Sequence, residues 1–409
     1  MSPAQPTGDP APSDGLLPAS VLDGAERRSL SLYVHVPYCS VRCGYCDFNT
    51  YAAEDFGDGV NRLSYAEDAI RELDLAAGVL TRSGLPARPL STVFFGGGTP
   101  TRLPAEDLAR ILRAGIERFG IVDGAEVTTE ANPDSVTRED LALLKEAGFT
   151  RVSFGMQSAV PRVLAVLDRT HTPANVPKVV SWAREVGLQT SVDLISGAPG
   201  ETLAEWETSV RAAIDCAPDH ISAYSLIVEP GTKLAAQIRR GELSPVDDDA
   251  QADMYLLADR LFEDAGYSWY EVSNWSRSEA TRSRHNLAYW RNRDWWGIGP
   301  GAHSHVNGVR WWNLKHPVPY AHRVRQGLSP AAAREHLDAD TRYVEDVMLA
   351  ARIREGLAIE DLRQPGREAV AWLEGQGLIE AQARAEGRVV LTLRGRLLGD
   401  AVVRTLLGD

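Results

Sequence analysis

From residue 30 to about residue 228 the chain repeats one unit, an apolar stretch followed by an amphipathic one. The apolar stretches are SLYVHV, STVFFGGG, EVTTEAN, RVSFGMQ, QTSVDLISG and HISAYSLIV. Between them lie YAEDAIRELDLAAGVL, AEDLARILRAGIERF, REDLALLKEAGF, VPRVLAVLDR, NVPKVVSWAREVG and LAEWETSVRAAID, each with apolar residues at helical spacing. Six strands alternating with helices predict an α/β fold with a parallel sheet, curled as a partial (β/α)6 TIM-like barrel. Such barrels carry their chemistry at the C-terminal ends of the strands. The polar motifs gather there: a cysteine-bearing loop, GGGTPT, Glu130, Gln157, Asp193 and Tyr224–Ser225 each close a strand.

Cys39, Cys43 and Cys46 follow the first strand with the spacing C-x3-C-x2-C. Iron–sulfur cubanes take thiolate ligands and need four to close. Three leave one iron open, as a [4Fe-4S] cluster requires if it is to hold and cleave S-adenosylmethionine. A structural zinc site needs four ligands, with paired cysteines repeated further on. The remaining cysteine, Cys216, has no such pair and reads as a buried structural thiol. His35 is the one nearby nitrogen donor, but YVHV directs it along the strand beside the loop. Three crowded cysteines out of four do not suggest disulfides.

Gly96, Gly97 and Gly98 after TVFF allow the backbone to approach a ligand closely. Carboxylates such as Glu130 and Asp193 accept hydrogen bonds from an ammonium group or from ribose hydroxyls. Arg169 can pair with a carboxylate through its planar fork, and Gln157 both donates and accepts.

The first 28 residues are rich in Pro, Ala, Ser, Gly and Asp and are expected to form a disordered tail. The barrel is expected over 29–245 and an aromatic-rich extension over 246–325, beginning with the amphipathic helix of residues 247–266. A small winged-helix-like α+β domain is expected over 326–409, where VVLTL precedes a terminal helix. A net charge of −13 disfavours nucleic acid as a partner. No apolar run is long enough for a membrane span, which leaves only peripheral membrane contact open. The N-terminus lacks the pattern of an export signal. A cytoplasmic location is expected, and it suits an oxygen-sensitive cluster.

The motifs YVHVPYC, FFGGGTPT, TEANPDS, FGMQS, DLISGAPGET and HNLAYWRN…WWGIGPGAHS resemble the radical S-adenosylmethionine superfamily. Within it they resemble the coproporphyrinogen III oxidase-like branch (HemN/HemW), from about Ser29 to the C-terminus. The resemblance implies that Tyr33, Tyr45, Gly97, Gly98, Thr99, Glu130, Gln157, Arg169, Asp193 and Ser225 contact S-adenosylmethionine. It also implies an electron donor protein. Oxidases of this branch resemble C-x3-C-x2-C-x-C, whereas Phe48 holds the last position here, as in the branch's heme chaperones. His285, Asn286, Tyr289 and Trp290 match the chaperones' HNxxYW motif and are the candidate heme contacts, with His285 as axial ligand. His303 and His305 are competing candidates. The expectation is therefore a heme chaperone that binds a cluster, S-adenosylmethionine and heme, and passes heme to acceptor proteins. The alternative is an oxygen-independent oxidase that converts coproporphyrinogen propionates to vinyl groups.

Overall fold

The computed structural model describes residues 7–408. The six expected strands are present: β1 Leu30–Val36, β2 Leu90–Gly97, β3 Ile121–Ala131, β4 Arg151–Gln157, β5 Gln189–Ser196 and β6 His220–Ser225. They pair in chain order, every pair parallel. The helices Tyr65–Arg82, Ala105–Phe119, Arg138–Glu146, Asn175–Glu185 and Leu203–Asp215 cover the outer face. Two of them start at capping boxes, Thr137 with Asp140 and Thr202 with Glu205.

Strand residues alternate between two environments. Leu32, Val34, Val127, Val152, Phe154, Val192, Leu194 and Ile221 enter the core shared with the helices. Their neighbours Tyr33, Thr128, Glu130, Arg151, Ser153, Ser191, Asp193, His220 and Ser222 face inward and line a cavity. A parallel sheet normally reads as continuous apolar runs because both faces are covered. Here the polar alternation marks an interior built to hold something.

The sheet has twelve strands and runs through the boundary expected at 245/246. β7 Ser268–Glu271 and β8 Asn274–Ser276 extend it beyond β6. On the other flank β9 Asp294–Ile298 pairs parallel to β1, followed by β10 His303–Val306, β11 Val309–Asn313 and β12 Ala331–His336. The aromatic-rich section is thus part of the barrel wall, and β12 carries that wall past the boundary expected at residue 326. A second, separate core begins at Val347 and includes Leu373, Val389 and Leu406. Helices there surround the short antiparallel pair β13 Leu357–Ala358 and β14 Arg388–Val389, in keeping with the winged-helix-like expectation.

The expected disordered tail is corrected over residues 7–28; residues 1–6 lie outside the described residues. Asp9 exchanges backbone hydrogen bonds with Arg334 of β12, and Val21 and Ala25 are buried in the main core. Asn307 donates to the carbonyls of Val21 and Asp23. Arg28 and Arg88 both pair with the buried Asp294 at 2.6 Å. Composition misleads here because few apolar residues suffice when a finished sheet edge supplies the rest of the contacts.

Candidate functional site

The cysteine loop is tied down at several points. Cys39 N donates to Tyr51 O, Gly44 N to Leu167 O, and Leu234 N to Gly44 O. Cys39, Cys43 and Cys46 line one pocket with Gly97, Gly98, Thr99, Glu130, Gln157, Arg169 and Asp193. Burial pushes the Cys39 thiol up to about 11 and also raises Cys46. Among the described residues no three His, Cys, Asp or Glu side chains converge as a single metal ion requires. Three thiols around a pocket, each free to take a separate corner, suit a cubane rather than a zinc ion. His35 is not a fourth ligand. Its Nε2 meets Asn49 O at 2.9 Å, its Nδ1 meets Tyr33 Oη at 3.0 Å, and burial lowers its pKa to about 4.

The glycine run also fits a bound group. A side chain on Gly98 would stand 2.7 Å from Tyr38 O and 3.0 Å from Cys39 Sγ. Gly97 has φ +106°, and its N–H donates to Glu130 at 3.2 Å. Gln157 holds φ +60° where β4 slips register against β5, strain that turns its side chain into the pocket. Arg169 donates from Nη2 to Gly155 O at 2.7 Å and points Nη1 at Cys43 Sγ at 3.8 Å.

Glu130 and Asp193 are the unusual pair. Burial, then the neighbouring Asp193, raises Glu130 to about 8. Burial also raises Asp193, against hydrogen bonds from Ser222 and Ser153. Two buried acids without a full counter-charge form a site for a cation, and the sulfonium and ammonium groups of S-adenosylmethionine are of that kind.

A second cavity of about 520 Å³ opens off this pocket. The two share Tyr45, Cys46, Phe48, Glu130, Gln157 and Asp193. Phe48, 58% exposed, stands at the junction. Tyr33 and Ser225 line the larger cavity. Its far end is closed by the helix Arg284–Trp290, whose first N–H groups, those of Arg284 and His285, donate to Glu126 at 3.0 and 3.1 Å. That carboxylate therefore caps the helix N-terminus.

The HNxxYW residues divide. His285, Asn286 and Tyr289 line the cavity; Trp290 packs instead beside Tyr270, Leu287 and Ile353. Asn286 and Trp290 also hydrogen-bond the buried Glu271, whose pKa burial raises to about 8. His285 stacks on Phe94 and has both nitrogens engaged, Nδ1 with Thr92 Oγ1 at 2.7 Å and Nε2 with Tyr289 Oη at 2.9 Å. His305 is likewise engaged, with Arg293 O and Gly308 N. His303 is exposed with its ring edge-on to Trp312, and neither of these two histidines lines the cavity. Cys216 is buried, its thiol directed to Ala212 O.

The sequence reading missed the lower cavity wall, Phe94, Thr128, Arg151, Ser153, Ser191, His220 and Ser222. The available signal was the repeat of polar residues two positions before each recognised strand end, as in Thr128/Glu130 and Ser191/Asp193.

Comparison with known proteins fits this geometry. The Radical SAM superfamily model matches residues 33–213. The heme chaperone HemW of Mycobacterium tuberculosis (strain H37Rv) is 47% identical over 378 residues, covering 92% of this chain and 94% of the relative. HemW of Bacillus subtilis is 33% identical over 392 residues, covering 93% and 99%. Among solved structures, the radical SAM enzyme coproporphyrinogen III oxidase (HemN) from Escherichia coli superposes with a TM-score of 0.79 at 23% identity, covering 96% and 94%. The chain belongs to the radical SAM superfamily, in its HemN/HemW branch. The relatives that establish this at full length are the heme chaperones named HemW.

Proposed function

We propose that the chain is a heme chaperone of the HemW type. Cys39, Cys43 and Cys46 hold a [4Fe-4S] cluster; Tyr45, Gly97, Gly98, Thr99, Glu130, Gln157, Arg169 and Asp193 hold S-adenosylmethionine beside it. The larger cavity receives heme, which then passes to an acceptor protein. A bound cluster supplies the electron, drawn from a donor protein, for reductive cleavage of S-adenosylmethionine. The observation that carries the reading is the continuity of the two cavities, with the HNxxYW helix closing one end and the cysteine loop the other. Among the described residues no helix is long and apolar enough to cross a membrane; the work is assigned to the cytoplasm.

Hydrogen bonding defines what His285 offers. Thr92 Oγ1 donates to Ser31 Oγ at 2.9 Å, so it accepts from His285 Nδ1. Nε2 then carries the lone pair, met by the Tyr289 hydroxyl. Burial lowers the imidazole to about 3, which keeps it neutral, the form that iron takes. Ligation through Nε2 replaces the Tyr289 hydrogen bond.

Two measurements test the reading. The reconstituted protein is incubated anaerobically with reductant, S-adenosylmethionine and coproporphyrinogen III. Formation of 5′-deoxyadenosine with the porphyrinogen intact is expected, whereas loss of carbon dioxide makes the protein an oxidase. In heme titrations, His285→Ala loses the ligated spectrum and Tyr289→Phe strengthens it. Spectra unchanged in both variants remove His285 as ligand.

A further inference from the structure

The cavity floor contains three side chains that neither the cluster nor the HNxxYW motif uses. Thr128, Arg151 and His220 are each 2% exposed and all line the cavity. Thr128 Oγ1, Arg151 Nε and Nη1, and His220 Nδ1 have no hydrogen-bond partner among the described residues. Strand register brings them together. Thr128 is the Cα partner of Arg151, Arg151 of Gln189, and His220 of Ser191 on that same middle strand.

Each has an anchored half and an open half. Arg151 fixes its head through Nη2, which donates to Gln189 Oε1 at 2.9 Å and to the carbonyls of Thr281 and Arg282 at 2.8 and 3.2 Å. Glu126 is its nearest acid, at 3.6 Å and on the same nitrogen. The oxygens of Glu126 are already taken by the N–H groups of Arg284 and His285. Nε–H and Nη1 therefore remain for something else. Donors left unpaired in a buried site are costly, so an acceptor bound between them is favoured. His220 meets Tyr270 Oη at 2.7 Å through Nε2, and that hydroxyl accepts from Ser283 N. His220 Nε2 is the one acceptor within reach of the Tyr270 hydroxyl among the described residues, so that proton goes to Nε2 and His220 carries its own on Nδ1. Burial, then the adjacent Arg151 charge, keeps the ring neutral. The floor thus presents two free guanidinium donors of Arg151, an imidazole N–H and a hydroxyl, all able to donate.

We propose that Thr128, Arg151 and His220 form a carboxylate subsite that takes a propionate group of the porphyrin bound in the cavity. The proposal rests on the reading that this cavity receives a porphyrin. Arg151 Nε–H and Nη1–H lie on different edges of the guanidinium, so each offers a carboxylate oxygen a single charge-assisted hydrogen bond, with His220 and Thr128 as further donors. Above the floor, Tyr33, Phe94, Ile195, Tyr289 and Leu226 supply apolar faces for a flat macrocycle. An amphipathic anion matches this division of the wall, and the floor sets which edge of the macrocycle enters first.

The test compares iron protoporphyrin IX with its dimethyl ester, titrated anaerobically into the reconstituted protein with S-adenosylmethionine present. Wild type is expected to prefer the free acid by about tenfold or more, the scale of one charge-assisted hydrogen bond. Arg151→Gln and Thr128→Val should narrow that preference by weakening the free acid and leaving the ester unchanged. Because Arg151 also holds two carbonyls, Arg151→Gln can fail to fold; the wild-type preference and Thr128→Val then decide. Equal affinity for acid and ester in wild type, or a preference intact in Thr128→Val and in any folded Arg151→Gln, overturns the subsite and leaves the porphyrin reading standing. Binding of neither ligand overturns both.

Discussion

The two ends of the barrel cavity have opposite chemistry. At the mouth, Glu130 and Asp193 are buried acids short of a counter-charge, beside three thiols and a glycine turn. At the floor, Arg151, His220 and Thr128 present donors short of acceptors. One continuous space thus favours a cation at one end and an anion at the other. The difference teaches how a single barrel could sort two ligands without a dividing wall: the proposed function assigns S-adenosylmethionine to the acids and a carboxylate-bearing macrocycle to the donors.

The largest expected effect breaks one end only. Cys43→Ala removes a thiolate that nothing else among the lining residues can replace, so reconstituted iron should fall from a full cluster to background. Heme uptake should persist, because among the described residues Thr128, Arg151, His220 and His285 make no hydrogen bond to the cysteine loop. Iron and heme content measured on the same sample check this. Joint loss of both would show that the ends are not separable.

A smaller, graded effect belongs to the acids. Glu130 is raised to about 8, so near neutrality it holds a proton that a cationic ligand must displace. S-adenosylmethionine affinity should therefore fall by up to about tenfold for each pH unit below 8 and level off above it. Glu130→Gln should bind more weakly at pH 8 and lose most of this slope. Equilibrium binding between pH 6 and 9 measures it; a flat wild-type profile would mean that the acids are already ionised before the ligand arrives.

The same two ends explain what could be read from residues alone. The mouth was legible because its parts are contiguous: the cysteine spacing, the glycine run and the strand-end residues Glu130, Gln157 and Asp193 stand in short motifs. The floor was not, because it takes one residue from each of several strands, and Arg151 or His220 alone looks like any strand residue. Only the pairing of β3, β4, β5 and β6 makes them neighbours. The HNxxYW motif was legible as a unit but not in its division, since Trp290 and Asn286 bind Glu271, an acid from a strand that the sequence pattern did not single out. The tail was misread because its order comes from what it covers rather than from its own composition.

That tail gives the smallest prediction and a control for the comparison. Val21 is fully buried, and burying one such side chain contributes about 2 kcal/mol. Asn307 additionally spends its side-chain amide on the carbonyls of Val21 and Asp23. Asn307 stands in the turn between β10 and β11 and Asp9 pairs with Arg334 of β12, both away from the cavity lining. Deleting residues 1–24 should lower Tm by roughly 2–4 °C while cluster content and the affinities at both cavity ends stay unchanged. An unchanged Tm would mean that the segment adds no net stability. A lost affinity with little change in Tm would tie the strap to the cavity through β9, the strand that pairs directly with β1 beside Tyr33.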